Sequence, residues 1–438
     1  GVSNGENVLF ITLGETADQI QRDARRLGDE VEDINFLDLS PGEKFFEESQ
    51  DYDIFSPAEV ERNPTAQKIK DTVKSLRPSR VFVDSITQFR YLTSDEYQFH
   101  QQVLSFIQFL TRNDCTVLFA SEGTEQAPDE DLQFLADGVF SLSLEDRKRS
   151  LIVTKFRGSD FYSGQHAVTL GADGMKVYPD LPPTRRVTDL DMERIPFGIA
   201  GMDRLTHGGL NRGTTNIISG PAGVGKTTLS MQVVAEVARG GERSALFQFD
   251  ESRATLIARS SSVRIPIQSM LDDDKLAIYN IEPLQYSPLE LAGLVRKEIE
   301  EHDSRVVVVD SISGYKLCLG GHQELIRHIH GLSRYLKNMG VTSLFVNEIK
   351  EITGSFMATQ DGLSYMADAI IFMQYMEWNG EVHKAIGMLK NRVSNFEKTL
   401  CRFDIDEDGI HVGEPLRGLR EILTGAPEMQ DDVIEGEE

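Results

Sequence analysis

The stretch that most constrains this chain is Gly220-Pro221-Ala222-Gly223-Val224-Gly225-Lys226-Thr227-Thr228, which has the form GxxxxGKT. It follows a strand-like Asn216-Ile217-Ile218-Ser219 and precedes a helix-like run from Leu229 to Arg239, which is the setting such a loop requires. The glycines let the backbone curl until consecutive N–H groups point at phosphate oxygens. Lys226 supplies a point charge for the β- and γ-phosphates, and the Thr227 hydroxyl is suited to hold magnesium. The pattern predicts a chain that binds a nucleoside triphosphate with Mg²⁺.

Composition narrows the partners. The 438 residues carry a formal charge of −25, with 70 acidic residues against 45 basic ones. General nucleic-acid binding needs a basic surface that neutralises phosphates, so this balance disfavours it. Only 16 of the basic residues are Lys, against 29 Arg. That acid-rich, Lys-poor profile resembles proteins of salt-loving archaea, whose hydrated carboxylates keep the surface soluble. Cys115, Cys318 and Cys401 form no CxxC pair, so neither a disulfide framework nor a zinc site is expected. His328 and His330 lie two apart on a predicted helix and point to different faces. No apolar run reaches membrane-spanning length and no signal peptide is evident, so the expected location is cytoplasmic.

The chain repeats itself. The run Val8 to Glu15 recurs as Ala245 to Glu251, with Glu15 and Glu251 at an offset of 236. Val83-Asp84-Ser85-Ile86 recurs as Val309-Asp310-Ser311-Ile312 at 226, and Lys155-Phe156-Arg157 as Lys390-Asn391-Arg392 at 235. Three matches in one order indicate duplication. Carried back by 236, Lys226 would fall ten places before Gly1. The first copy therefore lacks a phosphate loop, and the neighbours of the absent strand would lose their hydrogen-bond partners. On this reading Gly1 is a truncation point.

Strand-like runs alternate with amphipathic helices in both copies, which predicts an α/β fold of two tandem domains, each a mainly parallel sheet flanked by helices. In the second copy strands are expected near 215–219, 244–249, 276–281, 305–309 and 342–346, with helices near 226–239, 288–301 and 322–338. Meander-like strands near 368–375, 382–390 and 399–404 suggest an antiparallel extension. The expected division is a first domain over 1–180, a Pro-rich linker over 181–196, a complete domain over 197–426 and an acidic, disordered tail over 427–438.

Asp310 ends the apolar Val306–Val309 strand at its carboxyl end, where such folds place ligands, and fits the carboxylate that holds magnesium. Asp250 and Glu251 end an adjacent strand-like segment. One of them could orient or deprotonate an attacking water, or both could cap a helix beginning at Ser252 or Arg253.

At these residues the chain resembles the KaiC branch of the RecA-like ATPases. The likeness rests on Phe249-Asp250-Glu251-Ser252-Arg253-Ala254, Val309-Asp310-Ser311, Asp368-Ala369-Ile370-Ile371 and Leu389-Lys390-Asn391-Arg392 in the second copy. The first copy contributes Gly14-Glu15-Thr16, Val83-Asp84-Ser85 and Lys155-Phe156-Arg157-Gly158, and the likeness runs to about Ala426. It implies tandem domains stacked as two rings of a homo-hexamer, ATP between neighbouring subunits, and signalling partner proteins. It further implies that Lys390 and Arg392 reach the neighbour's γ-phosphate. Clock members of the family phosphorylate themselves on an adjacent Ser–Thr pair, which aligns with Ser364-Tyr365, and Thr359 aligns with a nearby third site. Tyr365 departs from that pattern, as do Asp250, where the family has glutamate, and Gly14 in the first copy.

Two other readings remain open. A DNA recombination or repair ATPase of the RecA/RadA type would need basic loops after the Asp310 strand, and Lys316, Arg327, Arg334, Lys337 and Lys350 there stand among acidic neighbours. A scaffold would use ATP only to hold a ring together.

Overall fold

The computed structural model describes the whole chain except residues 29–30, 41–56, 93–95, 124–129, 146–147, 172–173, 180–192, 320–321, 350–362, 418, 421, 423–427 and 430–438. It divides into two compact units, Gly1–Val177 and Tyr178–Glu438.

The second unit is built on a nine-stranded sheet. Its parallel part contains β11 (Thr215–Gly220), β12 (Ser244–Gln248), β13 (Leu276–Asn280), β14 (Val306–Asp310) and β15 (Thr342–Glu348). These run in the order β13-β12-β14-β15-β11. Antiparallel strands continue it: β16 (Ala369–Trp378), which pairs parallel to β11, then β17 (Glu381–Asn391), β18 (Cys401–Asp406) and β19 (Gly409–Pro415). All five residues of β14 are buried, as a strand covered on both faces requires.

Alternation along the strands sends side chains into two cores. Ile218, Leu246, Val308, Leu344 and Val346 pack with α6 (Lys226–Arg239), α7 (Arg253–Ser262) and α8 (Ile267–Asp272). Ile217, Phe247, Val307, Val309 and Phe345 pack with α9 (Pro288–Glu300), α10 (Ile312–Leu317) and α11 (His322–Asn338). Helix α9 begins where local chemistry dictates: Ser287 and Glu290 form a reciprocal capping box and Pro288 occupies the first turn. The predicted doubly flanked sheet is therefore present, with its antiparallel extension one strand longer than expected.

Two details differ at the margins. Arg194–Ile195 (β9) already pairs with Leu210–Asn211 (β10), so the ordered second unit starts inside the stretch read as linker. Leu419–Arg420 (β20) pairs with Glu428–Met429 (β21), which lies within the stretch expected as tail. The rest of the expected acidic tail, 430–438, lies outside the described residues.

The first unit repeats this plan on a smaller parallel sheet among its described residues. Strands β1 (Val8–Thr12), β2 (Asn35–Asp38), β3 (Arg80–Asp84) and β4 (Thr116–Phe119) form a parallel sheet in the order β2-β1-β3-β4. Strands β5 (Gly138–Glu145), β6 (Lys148–Phe156), β7 (Gln165–Gly171) and β8 (Gly174–Tyr178) form a separate sheet. In the second unit β11 joins the corresponding strands, β15 and β16, into one sheet. The repeat offsets match Phe10 to Leu246, Phe82 to Val308 and Leu118 to Leu344. Those counterparts lie buried under α6. In the first unit Phe10 instead stacks on Phe36 and meets Phe82 at a tilt, and Leu118 is 56% exposed. A cavity of about 620 Å³ opens there, lined by Val8, Ile34, Arg80, Phe82 and Leu118 among others. Among the described residues of the first unit, no strand or helix occupies the place that β11 and α6 hold in the second.

Candidate active site

The loop between β11 and α6 is shaped by close approach as well as by conformation. Gly223 and Gly225 have φ of +74° and +119°, a region that side chains disfavour. A Cβ at Gly220 would stand 2.6 Å from the Met373 carbonyl oxygen, and one at Gly225 would stand 2.6 Å from Ile405. The Tyr375 hydroxyl donates to the Ala222 carbonyl at 3.3 Å. Strands β16 and β18 thus press the loop from outside. Pro221, Val224 and Thr228 are buried in its walls.

Lys226 opens α6 with its side chain buried, and its ammonium donates to the Pro221 carbonyl at 2.8 Å. Burial pulls its pKa down, and the carboxylates of Glu348 and Asp310 oppose that pull. The Thr227 hydroxyl donates to Asp310 Oδ2 at 2.6 Å. Burial pushes the Asp310 pKa up, against the Thr227 hydrogen bond and the Lys226 charge. A hydroxyl and a buried carboxylate held this close form a hard-oxygen donor pair of the kind magnesium takes.

The carboxylate pair after β12 splits into two roles. Asp250 accepts a hydrogen bond from the Ser311 hydroxyl at 3.0 Å and stands close enough to raise the Asp310 pKa further. Glu251 instead pairs with Arg259 at 2.8 Å and accepts from Gln248 at 3.2 Å. Neither caps α7. Ser252 does, accepting from the Thr255 N–H at 3.2 Å. The sequence treated the two carboxylates alike, and it missed Ser311, because only the juxtaposition of β12 and β14 brings that hydroxyl to Asp250.

Lys390 and Arg392 do not join this group. Lys390 pairs with Ile370, which pairs with Ile217, near the start of β11. Gly220 lies three positions on from Ile217, so Lys390 stands roughly 10 Å down the strand from the loop. Its ammonium donates to the Ser364 carbonyl at 2.6 Å, and burial, then Arg392, lowers its pKa. The Arg392 N–H donates to the carbonyl of Asp368, whose carboxylate takes Lys337 at 3.1 Å and the Thr215 N–H at 3.0 Å. Ser364 and Tyr365 lie on a single 3-10 turn, Leu363–Tyr365, with both side chains exposed. Thr359 lies outside the described residues.

A family model described as "ATPase: KaiC" matches residues 1–182 and 195–417, which is most of the chain and both repeats. The chain belongs to the KaiC ATPase family. Circadian clock protein KaiC3 of Synechocystis sp. is 26% identical over 98% of this chain and 86% of its own length. Circadian clock oscillator protein KaiC of Synechococcus elongatus is 26% identical over 96% of this chain and 82% of its own length. The KaiC protein of Prochlorococcus marinus matches at 26% over 96% and 84%. Membership makes this a nucleotide-binding ATPase with two tandem RecA-like domains, consistent with the loop geometry above. Among the described residues no helix is long and apolar enough to cross a membrane.

Proposed function

We propose that the second unit binds MgATP on the Gly220–Thr228 loop and hydrolyses it at an interface between subunits of a homo-hexameric ring. The observation that carries this reading is the 2.6 Å hydrogen bond from Thr227 to Asp310 beside the buried Lys226. Thr227 and Asp310 are the oxygens that would hold Mg²⁺, which when bound neutralises charge on the β- and γ-phosphates. Asp250, steadied by Ser311, orients the water and takes its proton as the water oxygen attacks the γ-phosphorus and the bond to ADP breaks. Glu251 supports this arrangement through Arg259.

Lys390 and Arg392 act in trans. They stand at the opposite end of the strands from their own loop, beside Ser364, so the γ-phosphate they could meet is a neighbour's. Arginine contacts of this kind are worth roughly 10³–10⁵ in rate in other nucleotide hydrolases. The family resemblance offers Ser364 as a phosphoacceptor, which its exposure beside Lys390 supports, and Thr359 as a further one, in a signalling or clock-like role, as the names of the cyanobacterial relatives suggest. The −25 charge fits a cytoplasm of high salt. Refolding that is indifferent to molar potassium chloride would remove that part.

The test is a Lys226→Ala chain, assayed for phosphate release and for oligomeric mass. Loss of hydrolysis with the ring intact supports an engine. Loss of the ring supports a scaffold held together by ATP, and unchanged hydrolysis overturns the site.

A further inference from the structure

Glu348 ends β15 beside the phosphate loop and has no part in the chemistry above. Its register fixes its level: Glu348 lies opposite Gly220, and the Ile349 N–H donates to the Gly220 carbonyl at 3.1 Å. Alternation fixes its face. Leu344 and Val346 pack in the core under α6, whereas Phe345 packs in the opposite one. Glu348 therefore falls on the α6 face, where Asp310 meets Thr227. The preceding Asn347 donates to the Ser219 hydroxyl at 2.8 Å, both groups being buried, and this pins the end of β15 to the strand that carries the loop.

An exposed glutamate at a strand end is ordinarily a solvated surface charge. Two observations set this one apart. Of the charges that act on the buried Lys226, Glu348 comes ahead of Asp310. The duplication also preserves it. Carried back by 226, Glu348 becomes Glu122, just past the end of β4, and there the Asp84 pKa is raised by burial and by Glu122. Both repeats thus carry a glutamate at the end of this strand, acting on Asp84 in the first and on Lys226 in the second.

We infer that Glu348 is a positioning residue of the nucleotide pocket whose carboxylate competes with the γ-phosphate for Lys226. A carboxylate here orients the ammonium across the mouth of the loop and opposes a polyphosphate anion. A triphosphate must draw Lys226 away from it, whereas a diphosphate makes less demand on that ammonium. Glu348 therefore limits how tightly the triphosphate is held relative to the diphosphate.

This inference rests on the function proposed above, that the loop takes MgATP. The experiment is calorimetric titration of the full chain, wild type, Glu348→Gln and Glu348→Asp, with ATPγS and with ADP, each with magnesium. The Gln variant is expected to bind ATPγS roughly tenfold more tightly, because a unit charge close to a buried lysine is removed. Its gain for ADP is smaller, and the Asp variant stays near wild type. A Gln variant that melts at the wild-type temperature yet binds ATPγS no more tightly overturns the inference alone. Wild-type protein that retains no ATPγS overturns the proposed function and this inference together.

Discussion

The Thr227 hydroxyl lies 2.6 Å from Asp310 Oδ2, and this one contact ties the first turn of α6 to the end of β14. Removing either side should cost more in turnover than in folding. Thr227→Ala and Asp310→Asn are each expected to lower steady-state phosphate release by about 10²-fold or more, as loss of a preorganised electrostatic contact does elsewhere. A fall of less than about threefold, with magnesium dependence unchanged, would remove these residues from the metal site.

Ser311 separates the two carboxylates that follow β12. Its hydroxyl donates to Asp250 and also accepts from the Gly314 N–H as the cap of α10. Ser311→Ala should lower kcat about tenfold while leaving the KM for ATP near wild type, because it loosens the water-positioning group and spares the loop. Glu251→Gln should act mainly through its lost pairing with the partly exposed Arg259, a loss of about 1 kcal/mol or less in unfolding free energy. A larger kcat loss for Glu251→Gln than for Asp250→Asn would reverse the assignment.

Much of this site could be read in the chain before any geometry. The loop, its strand and its helix carry local signals: glycines where φ turns positive, an apolar strand before, and periodic apolar residues after. The Val306–Val309 run announced a buried strand, and the repeat offsets announced the duplication. What stayed hidden depends on neighbours far away in sequence. Strand β19 reads as an ordinary loop, since Gly409 to Pro415 gains strand character only by pairing with β18. The different fates of Asp250 and Glu251 depend on Ser311 and Arg259, and Glu348 becomes conspicuous only once its register against Gly220 is known. The doubled glutamate at 122 and 348 was a sequence signal that could have been used.

Lys390 and Ser364 yield a subunit-mixing prediction. One chain carries Lys226→Ala and cannot hold ATP, and the other carries Lys390→Ala with Arg392→Ala and cannot serve a neighbour. Each alone should be nearly inactive. Mixed and reassembled, they should recover a measurable share of wild-type phosphate release, because one kind of interface in the mixture is complete. If the double variant is fully active alone, or mixing restores nothing, these residues do not act across an interface.

Addition of single-stranded DNA distinguishes the recombinase reading. With 70 acidic residues against 45 basic ones, hydrolysis is expected to be indifferent to DNA at moderate salt. Stimulation of severalfold that disappears steeply as salt rises would favour a DNA-handling enzyme.

Far from the loop, Glu298 is buried, with Arg243 at 3.3 Å, the Tyr279 hydroxyl at 2.6 Å and the Ser304 hydroxyl at 2.8 Å. Burial alone would raise its pKa, but the hydrogen bonds from Arg243, Tyr279 and Ser304 together hold it below the ordinary carboxylate value. A depressed carboxylate binds protons less readily in the folded than in the unfolded chain. Its contribution to stability is therefore present above the ordinary glutamate range and is lost as pH falls through the folded value. Arg243→Ala leaves that charge buried without its cation and should destabilise the second unit by about 3–5 kcal/mol near neutral pH. Protonation then relieves the penalty, so the deficit relative to wild type should shrink as pH falls through the carboxylate range. Denaturant titrations at several pH values read both effects, and a deficit that grows toward acid would show that Arg243 stabilises the unit by some route other than Glu298.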